Sequence, residues 1–524
     1  MKTAKKAGGV VALMATCALG AMLDLSHAGR ARAEGWTTPS VMSTASAAAS
    51  GADEATLGPI DPATGLRNPP YPVNPEKPRY AYTGPTLIRK VRVIDGLGGA
   101  PREDQDVLVE AGRIAQIAPG GSIRPAADVK VIDGEGQTLL PGLMDLHVHF
   151  VGVDRLAGSL ETDPAQRSDV YRYKSQLYAF LYSGVTTVLD CGTTPEVGVG
   201  LKRLINDGYV LGPRYFWSGQ ILEGGVEPSG PDHVMIPTTA QVPQVIDYMR
   251  SLNVDMIKLY RATPTYIIER ATEYAHEHGL RVMIDAWERN DTGYIARYGR
   301  VDGFPHLNFH FRITDEDAKE LADRGDFVFT TFYALNSFSG RIYEDHPDYL
   351  QSPLIKDVMP PEYVALMAAH PTDPMSDVRE AVWHEVVEPV QDLMGFPAGT
   401  PHKAIFHDMS KIGGENLRKL LGAGVLVAAG TDAGEGESLL TELELIVADG
   451  GVTPVQAIEM ATYNGARVLK KEKEFGSIQP NLIADLVLVK GDPSRNIRDV
   501  RNIEYVFKDG KIIDRASLTR QWAY

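Results

Sequence analysis

Val185-Thr186-Thr187-Val188-Leu189-Asp190 is a run of apolar and β-branched residues that ends in a carboxylate. A strand with one wet face would alternate in polarity. This run does not, so it reads as a strand covered on both faces, as in parallel sheets. The same texture recurs in Arg214–Ser218, Asp255–Leu259, Arg281–Asp285, Phe327–Thr331 and Val425–Ala429, and two further strands are expected near Leu146 and at Val301–Phe304. Helix-like stretches such as Thr265–Glu277 and Glu415–Leu421 precede several of them, with Gly279 and Gly424 close behind as stop signals. Eight strand-and-helix units predict an α/β chain built on a (β/α)8 TIM-type barrel over residues 141–472. Ala334–Ile412 is too long for an ordinary connection and reads as an insertion, about 335–412, after the seventh strand, with a helix-like Asp377–Leu393.

Outward from the barrel, Thr86–Gly96 and Asp106–Glu110 on one side, and Ala484–Val489 and Val506–Ile513 on the other, have the look of short strands between glycine turns. Neither piece is large enough alone. Residues 83–140 and 473–524 are expected to pair into one small composite β-domain. Residues 34–82 are rich in Ala, Ser, Thr, Pro and Gly and offer little to bury, which predicts an extended leader. Before it, Lys2, Lys5 and Lys6 open a stretch with an apolar core from about Gly8 to Met22 and small residues at Ala31-Arg32-Ala33, the pattern of a secretory signal peptide over 1–33. That pattern predicts a periplasmic or secreted protein without stable membrane insertion after cleavage.

The chain has 524 residues, 44% of them hydrophobic, and a formal net charge of −16. Such a balance argues against nucleic acid or anionic membrane as the partner, since both call for basic surface. Only two cysteines are present, too few for a disulfide scaffold or a cysteine-built zinc module; cleavage would leave Cys191 as the single thiol.

In Pro141-Gly142-Leu143-Met144-Asp145-Leu146-His147-Val148-His149, two histidines lie two apart at a strand end. That spacing puts both imidazoles on one face of a strand, where they can share a cation. Cys191, Lys258, Asp285, His306 and Asp432 end other candidate strands. In a closed parallel barrel those ends converge on one mouth, the place where barrel active sites are built.

Taken together, LLPGLMDLHVHF at 139–150, GVTTVLD at 184–190, DMIKLY at 255–260, His306, GTDAGEG at 430–436 and GGVTPVQAIEMATYNGARVL at 450–469 resemble the amidohydrolase superfamily, in its imidazolonepropionase-like and metal-dependent dipeptidase (prolidase-like) branch. The resemblance spans about residues 85–515. It implies that the two end pieces form a composite β-sandwich beside the barrel. It also implies that His147, His149 and Asp432 hold one divalent ion, and that Lys258 bridges to a second ion bound by His306. An ammonium has no lone pair for a cation, so the bridge implies carboxylation of Lys258 by CO2. The chain departs from the pattern at the fifth strand, where relatives carry histidine and Ile284-Asp285-Ala286-Trp287 stands here, and at Gly224-Gly225-Val226, which lacks a histidine after the glycines. Asp285 can then serve as the substitute ligand, its charge shifting preference towards harder ions; the alternative is a second site that is weak or absent. Zinc is the first expectation, with manganese or magnesium as alternatives and one or two ions per chain. A Cys191 thiolate ligand is the rarer case, because burial as a small hydrophobe is the commoner fate of a free cysteine.

The resemblance further implies hydrolysis of a carbon–nitrogen bond in a small-molecule substrate, by metal-activated hydroxide with Asp432 as proton shuttle. A dipeptide-like or N-acyl amino-acid substrate is expected. Tyr260, Arg261, His310 and Trp287 are candidate substrate contacts, with Arg261 suited to clamp a carboxylate. Lactone or ester hydrolysis on the same site, or a degraded barrel that only binds, are the alternatives. Homo-oligomers are common in such families, but no interface is identifiable from this chain.

Overall fold

A computed structural model describes residues 80–150, 173–225, 232–286, 289–359, 364, 379–380, 383–397 and 399–519. The expected signal peptide and the leader up to residue 79 lie outside the described residues. Among the described residues, no helix is long and apolar enough to cross a membrane.

The chain opens with β1 (Tyr80–Tyr82), β2 (Thr86–Val93), β3 (Arg102–Glu110), β4 (Arg113–Pro119), β5 (Lys130–Asp133) and β6 (Gln137–Pro141). Next come β7 (Leu143–Val148), β8 (Val185–Asp190), β9 (Arg214–Trp217), β10 (Ile221–Glu223), β11 (His233–Met235), β12 (Ile257–Leu259), β13 (Val282–Ile284), β14 (Gly303–Phe304), β15 (Phe327–Phe329) and β16 (Leu426–Ala428). It closes with β17 (Leu486–Lys490), β18 (Ile503–Lys508) and β19 (Lys511–Ile513).

Both ends of the chain enter one nine-stranded sheet, in the order β1-β19-β18-β17-β6-β2-β3-β4 with β5 beside β2. The join is the antiparallel pairing of β17 with β6, from Leu486 opposite Pro141 to Lys490 opposite Gln137. Ile88, Val107, Leu139, Leu486 and Phe507, drawn from both ends, share one buried apolar cluster. Tyr80–Tyr82, which composition groups with the leader, instead pairs with β19, and the Lys511 ammonium lies 5.1 Å from the centre of the Tyr80 ring.

The parallel strands run β7-β8-β9 in one set and β11-β10-β12-β13-β14-β15-β16 in the other, an α/β arrangement of TIM-barrel type. Backbone bonds link the two sets at both margins. At one, Asp255 N, just before β12, donates to Trp217 O on β9 (2.8 Å). At the opposite margin Leu146 N donates to Ala429 O (3.0 Å) and His149 N to Ala433 O (3.1 Å), so the last parallel strand meets the first. Met144, Leu146, Leu189, Met283, Phe329 and Ala428, from both sets, pack in a single apolar cluster.

The helices follow from caps and apolar faces. Thr265–Glu277 buries Ile267, Ile268, Ala271 and Ala275 on one side. Asp315–Arg324 starts on a capping box between Thr314 and Asp317. His402–Ala423 stops at Gly424, whose φ of +88° a side chain would resist. Between β15 and this long helix lie the short helices Phe332–Phe338, Arg341–Asp345 and Pro353–Lys356. Where one helix was expected near 377–393, the described residues form successive turns, Trp383–Val387, Glu388–Val390 and Gln391–Met394. Pro389 lacks the N–H that a continuous ladder would use.

Candidate metal centre

β7 carries the first two candidate ligands, and the loop after β16 the third. Asp432 N donates to His147 O (2.7 Å) and Thr431 N to Asp145 Oδ1 (3.1 Å), which ties that loop to β7. Asp432 itself sits at φ +60°, the left-handed region that few side chains adopt, and this turn directs its carboxylate at the histidines. Asp432 Oδ1 lies 3.4 Å from His147 Nε2 and 3.3 Å from His149 Nε2. Among the described residues, these three supply one group of ligand atoms that all lie within 4.8 Å of one another.

The other ring nitrogens decide what the imidazoles offer. His147 Nδ1 is 2.8 Å from Pro305 O, and His149 Nδ1 is 2.9 Å from Gly192 O. A carbonyl only accepts, so each Nδ1 carries its proton and each Nε2 presents a lone pair. Burial, reinforced by the charges of Lys258, His306 and His149, holds His147 well below the usual imidazole range, so it stays neutral. Burial opposes ionisation of Asp432, yet His149, His306 and Lys258 outweigh it and hold the carboxyl below its ordinary range. Asp432 Oδ1 is buried and accepts no hydrogen bond. Lone pairs converging on an orphaned carboxylate oxygen repel one another unless a cation lies among them. The donor set therefore fits a divalent ion.

Lys258, on β12, is buried to 1% exposure, and its Nζ lies 3.2 Å from His147 Nε2. A buried lysine at the mouth, rather than a solvated one on a loop, is what a role at the site requires. His306 stacks obliquely on His147 with ring centroids 4.5 Å apart. Its Nε2 is 3.4 Å from Asp285 Oδ2, and its Nδ1 is 2.9 Å from Thr331 Oγ1. Asp285 Oδ1 is buried without a hydrogen bond. Burial opposes the charge of Asp285 as well, but His306, Lys258 and Arg261 prevail and keep it below the carboxylate range.

Of the remaining candidates, Tyr260 and Arg261 are buried directly after β12, the guanidinium 5.2 Å from the Tyr260 ring centre. His310 is also buried, its amide donating to Asn308 Oδ1 (3.1 Å). Trp287 lies outside the described residues. Cys191 is buried; burial raises its thiol well above the usual range, and the thiol donates to Leu146 O (3.4 Å), as a structural cysteine does.

Three acidic residues that sequence reasoning missed support this constellation. Asp145 is fully buried and receives Thr431 Oγ1 (2.7 Å), Thr431 N and His147 N, binding the ligand strand to the ligand loop; burial pushes it up to about 8. Asp190 receives Tyr215 Oη (2.7 Å) and Gly192 N (3.1 Å), fixing the turn whose carbonyl meets His149. Glu223 pairs with His233 at 3.1 Å beside Tyr260, on the short strands β10 and β11. The available signal was a carboxylate inside an otherwise apolar buried run, as at Asp145 and Asp190.

The chain matches the amidohydrolase family model over residues 138–325 and 330–513. It is 26% identical over 400 residues to an imidazolonepropionase from Geobacillus sp. strain WCH70, covering 74% of this chain and 84% of that protein. It is 31% identical over 400 residues to an ochratoxinase from Aspergillus niger, covering 71% of this chain and 75% of that one. Among solved structures, a Xaa-Pro dipeptidase with methionine bound in its active site superposes with a TM-score of 0.61 at 22% identity, covering 82% of this chain and 99% of the other.

Proposed function

The chain belongs to the amidohydrolase family and is a hydrolase acting on carbon–nitrogen bonds of small molecules; from that premise we propose that it is an exported enzyme cleaving the amide of a dipeptide-like or N-acyl amino-acid substrate. The observation that carries the reading is the orphaned Asp432 Oδ1 with two imidazole Nε2 atoms 3.3–3.4 Å away. His147, His149 and Asp432 would hold one divalent ion, zinc before manganese or magnesium. Lys258, carboxylated, with His306 and Asp285 would hold a second. Such an ion supplies Lewis acidity, acidifying water and polarising a carbonyl.

The chain's own groups do the rest. Asp432 accepts the proton of the attacking water and returns it to the leaving nitrogen, which an amide requires. The Pro305 and Gly192 carbonyls keep the two imidazoles in the liganding tautomer. Arg261, three residues after Lys258 and within the field of Asp285, would grip a substrate carboxylate, with Tyr260 and His310 as further contacts; Trp287 remains a candidate contact from the sequence alone. A dipeptidase among the structural neighbours agrees with that choice of substrate. Closure of the parallel strands into an eight-stranded barrel, and of the nine-stranded sheet into a composite sandwich, belong to the same reading, supported by the β7–β16 contacts and the shared cluster of both chain ends. Export rests on the pattern of residues 1–33.

The test is a panel of N-acyl amino acids, dipeptides and lactones assayed with the full chain. Hydrolysis of the amides, reduced for substrates lacking a carboxylate, is expected. Turnover of lactones alone would overturn the substrate assignment.

A further inference from the structure

Thr331 breaks a local rule. It follows β15, and its φ of +49° is left-handed, a conformation that a β-branched residue resists and glycine adopts freely. The turn persists because its surroundings hold it. Glu442, fully buried on the helix Glu437–Ala448, accepts Thr330 Oγ1 and Phe332 N (3.0 Å) on one oxygen and Tyr333 N on the other. Thr331 N donates to Gly430 O (3.0 Å), in the loop that carries Asp432. Residues on both sides of Thr331 are thus fastened to one buried carboxylate, and its own amide to the ligand loop.

What threonine adds at this position is a hydroxyl, and that hydroxyl lies 2.9 Å from His306 Nδ1. His147 and His149 have carbonyls in the equivalent place, which fix their tautomers. From this geometry we infer that Thr331 is a positioning residue: its hydroxyl, held in a strained turn by Glu442, accepts the Nδ1–H of His306 and presents the Nε2 lone pair towards Asp285. The inference rests on the proposed function, in which His306 faces a cation. Backbone strain retained beside a functional side chain is the usual mark of such a device.

The experiment compares wild type, Thr331→Gly and Thr331→Ser as full chains, each stripped of metal, melted, then titrated with Zn²⁺ alone and Mn²⁺ alone while bound ions are counted. Glycine relieves the strain but removes the hydroxyl. The ion-free T331G chain should therefore melt at or above wild type, while its affinity for the ion at His306 falls about 10- to 100-fold, as loss of an outer partner does. T331S keeps the hydroxyl and should stay within about threefold of wild type. Wild-type affinity in T331G, an equal loss in T331S, or a T331G chain that melts well below wild type or fails to fold would overturn the inference alone. A wild-type chain that takes up no ion would overturn the proposed function with it.

Discussion

In the nine-stranded sheet, β17 lies between β18 and β6, and Leu486, Val487, Leu488 and Val489 are all buried among apolar neighbours. At the mouth of the parallel strands, His147, His149, Lys258, Asp285 and His306 are buried instead, Asp432 is partly buried, and Thr331 and Asp432 adopt left-handed backbone. The sheet gains stability from these buried apolar side chains. The mouth buries charge, leaves carboxylate oxygens unpartnered and holds strained turns, all of which cost stability. Chain folding alone gives no reason to assemble such a mouth. A ligand does.

The contrast can be broken at either region. Asp432→Ala is the largest expected effect: amide turnover should drop by about three orders of magnitude or more, while the melting temperature changes little or rises. Retained activity in a steady-state assay would remove Asp432 from the mechanism. Leu486→Ala should do the opposite, costing about 2–5 kcal/mol in urea unfolding for a fully buried leucine with bound-ion content unchanged.

Glu442 sharpens the comparison through pH. Burial pushes its carboxyl from 4.5 up to about 8 despite the hydrogen bonds it accepts. Between those values the folded chain binds a proton that the unfolded chain has released, so its contribution is complete below about 4.5 and is lost as pH rises towards 8. Glu442→Gln should flatten that part of the stability–pH curve, by a few kcal/mol at most, measured as urea midpoints at pH 5 and pH 8. Identical slopes in the two proteins would contradict a buried, proton-binding Glu442. Arg312→Ala, which breaks an exposed pair with Glu415, should cost under about 1 kcal/mol and leave both regions intact.

The same contrast explains what the sequence could disclose. Val185–Asp190 and Thr265–Glu277 form the strand and helix expected of them, because hydrophobic period and stop signals are local. β12 and β13 are shorter than their runs: β12 starts two residues later, at Ile257, and β13 loses one residue at each end. His147, His149 and Asp432 were legible as ends of strands that a barrel must bring together. Thr331 and Glu442 were not. Their meaning depends on partners such as His306 and Thr330, distant in sequence, and no nearby residue signals that pairing. β10 and β11, three residues each, are too short to carry a period.

The most direct test of the central claim counts divalent ions on the purified full chain by elemental analysis, beside His147→Ala and Asp432→Ala. The account predicts at least one tightly held ion per wild-type chain and its loss, or a loosening of at least about 100-fold, in both variants. A wild-type chain that hydrolyses amides at full rate after its ions have been stripped would contradict it.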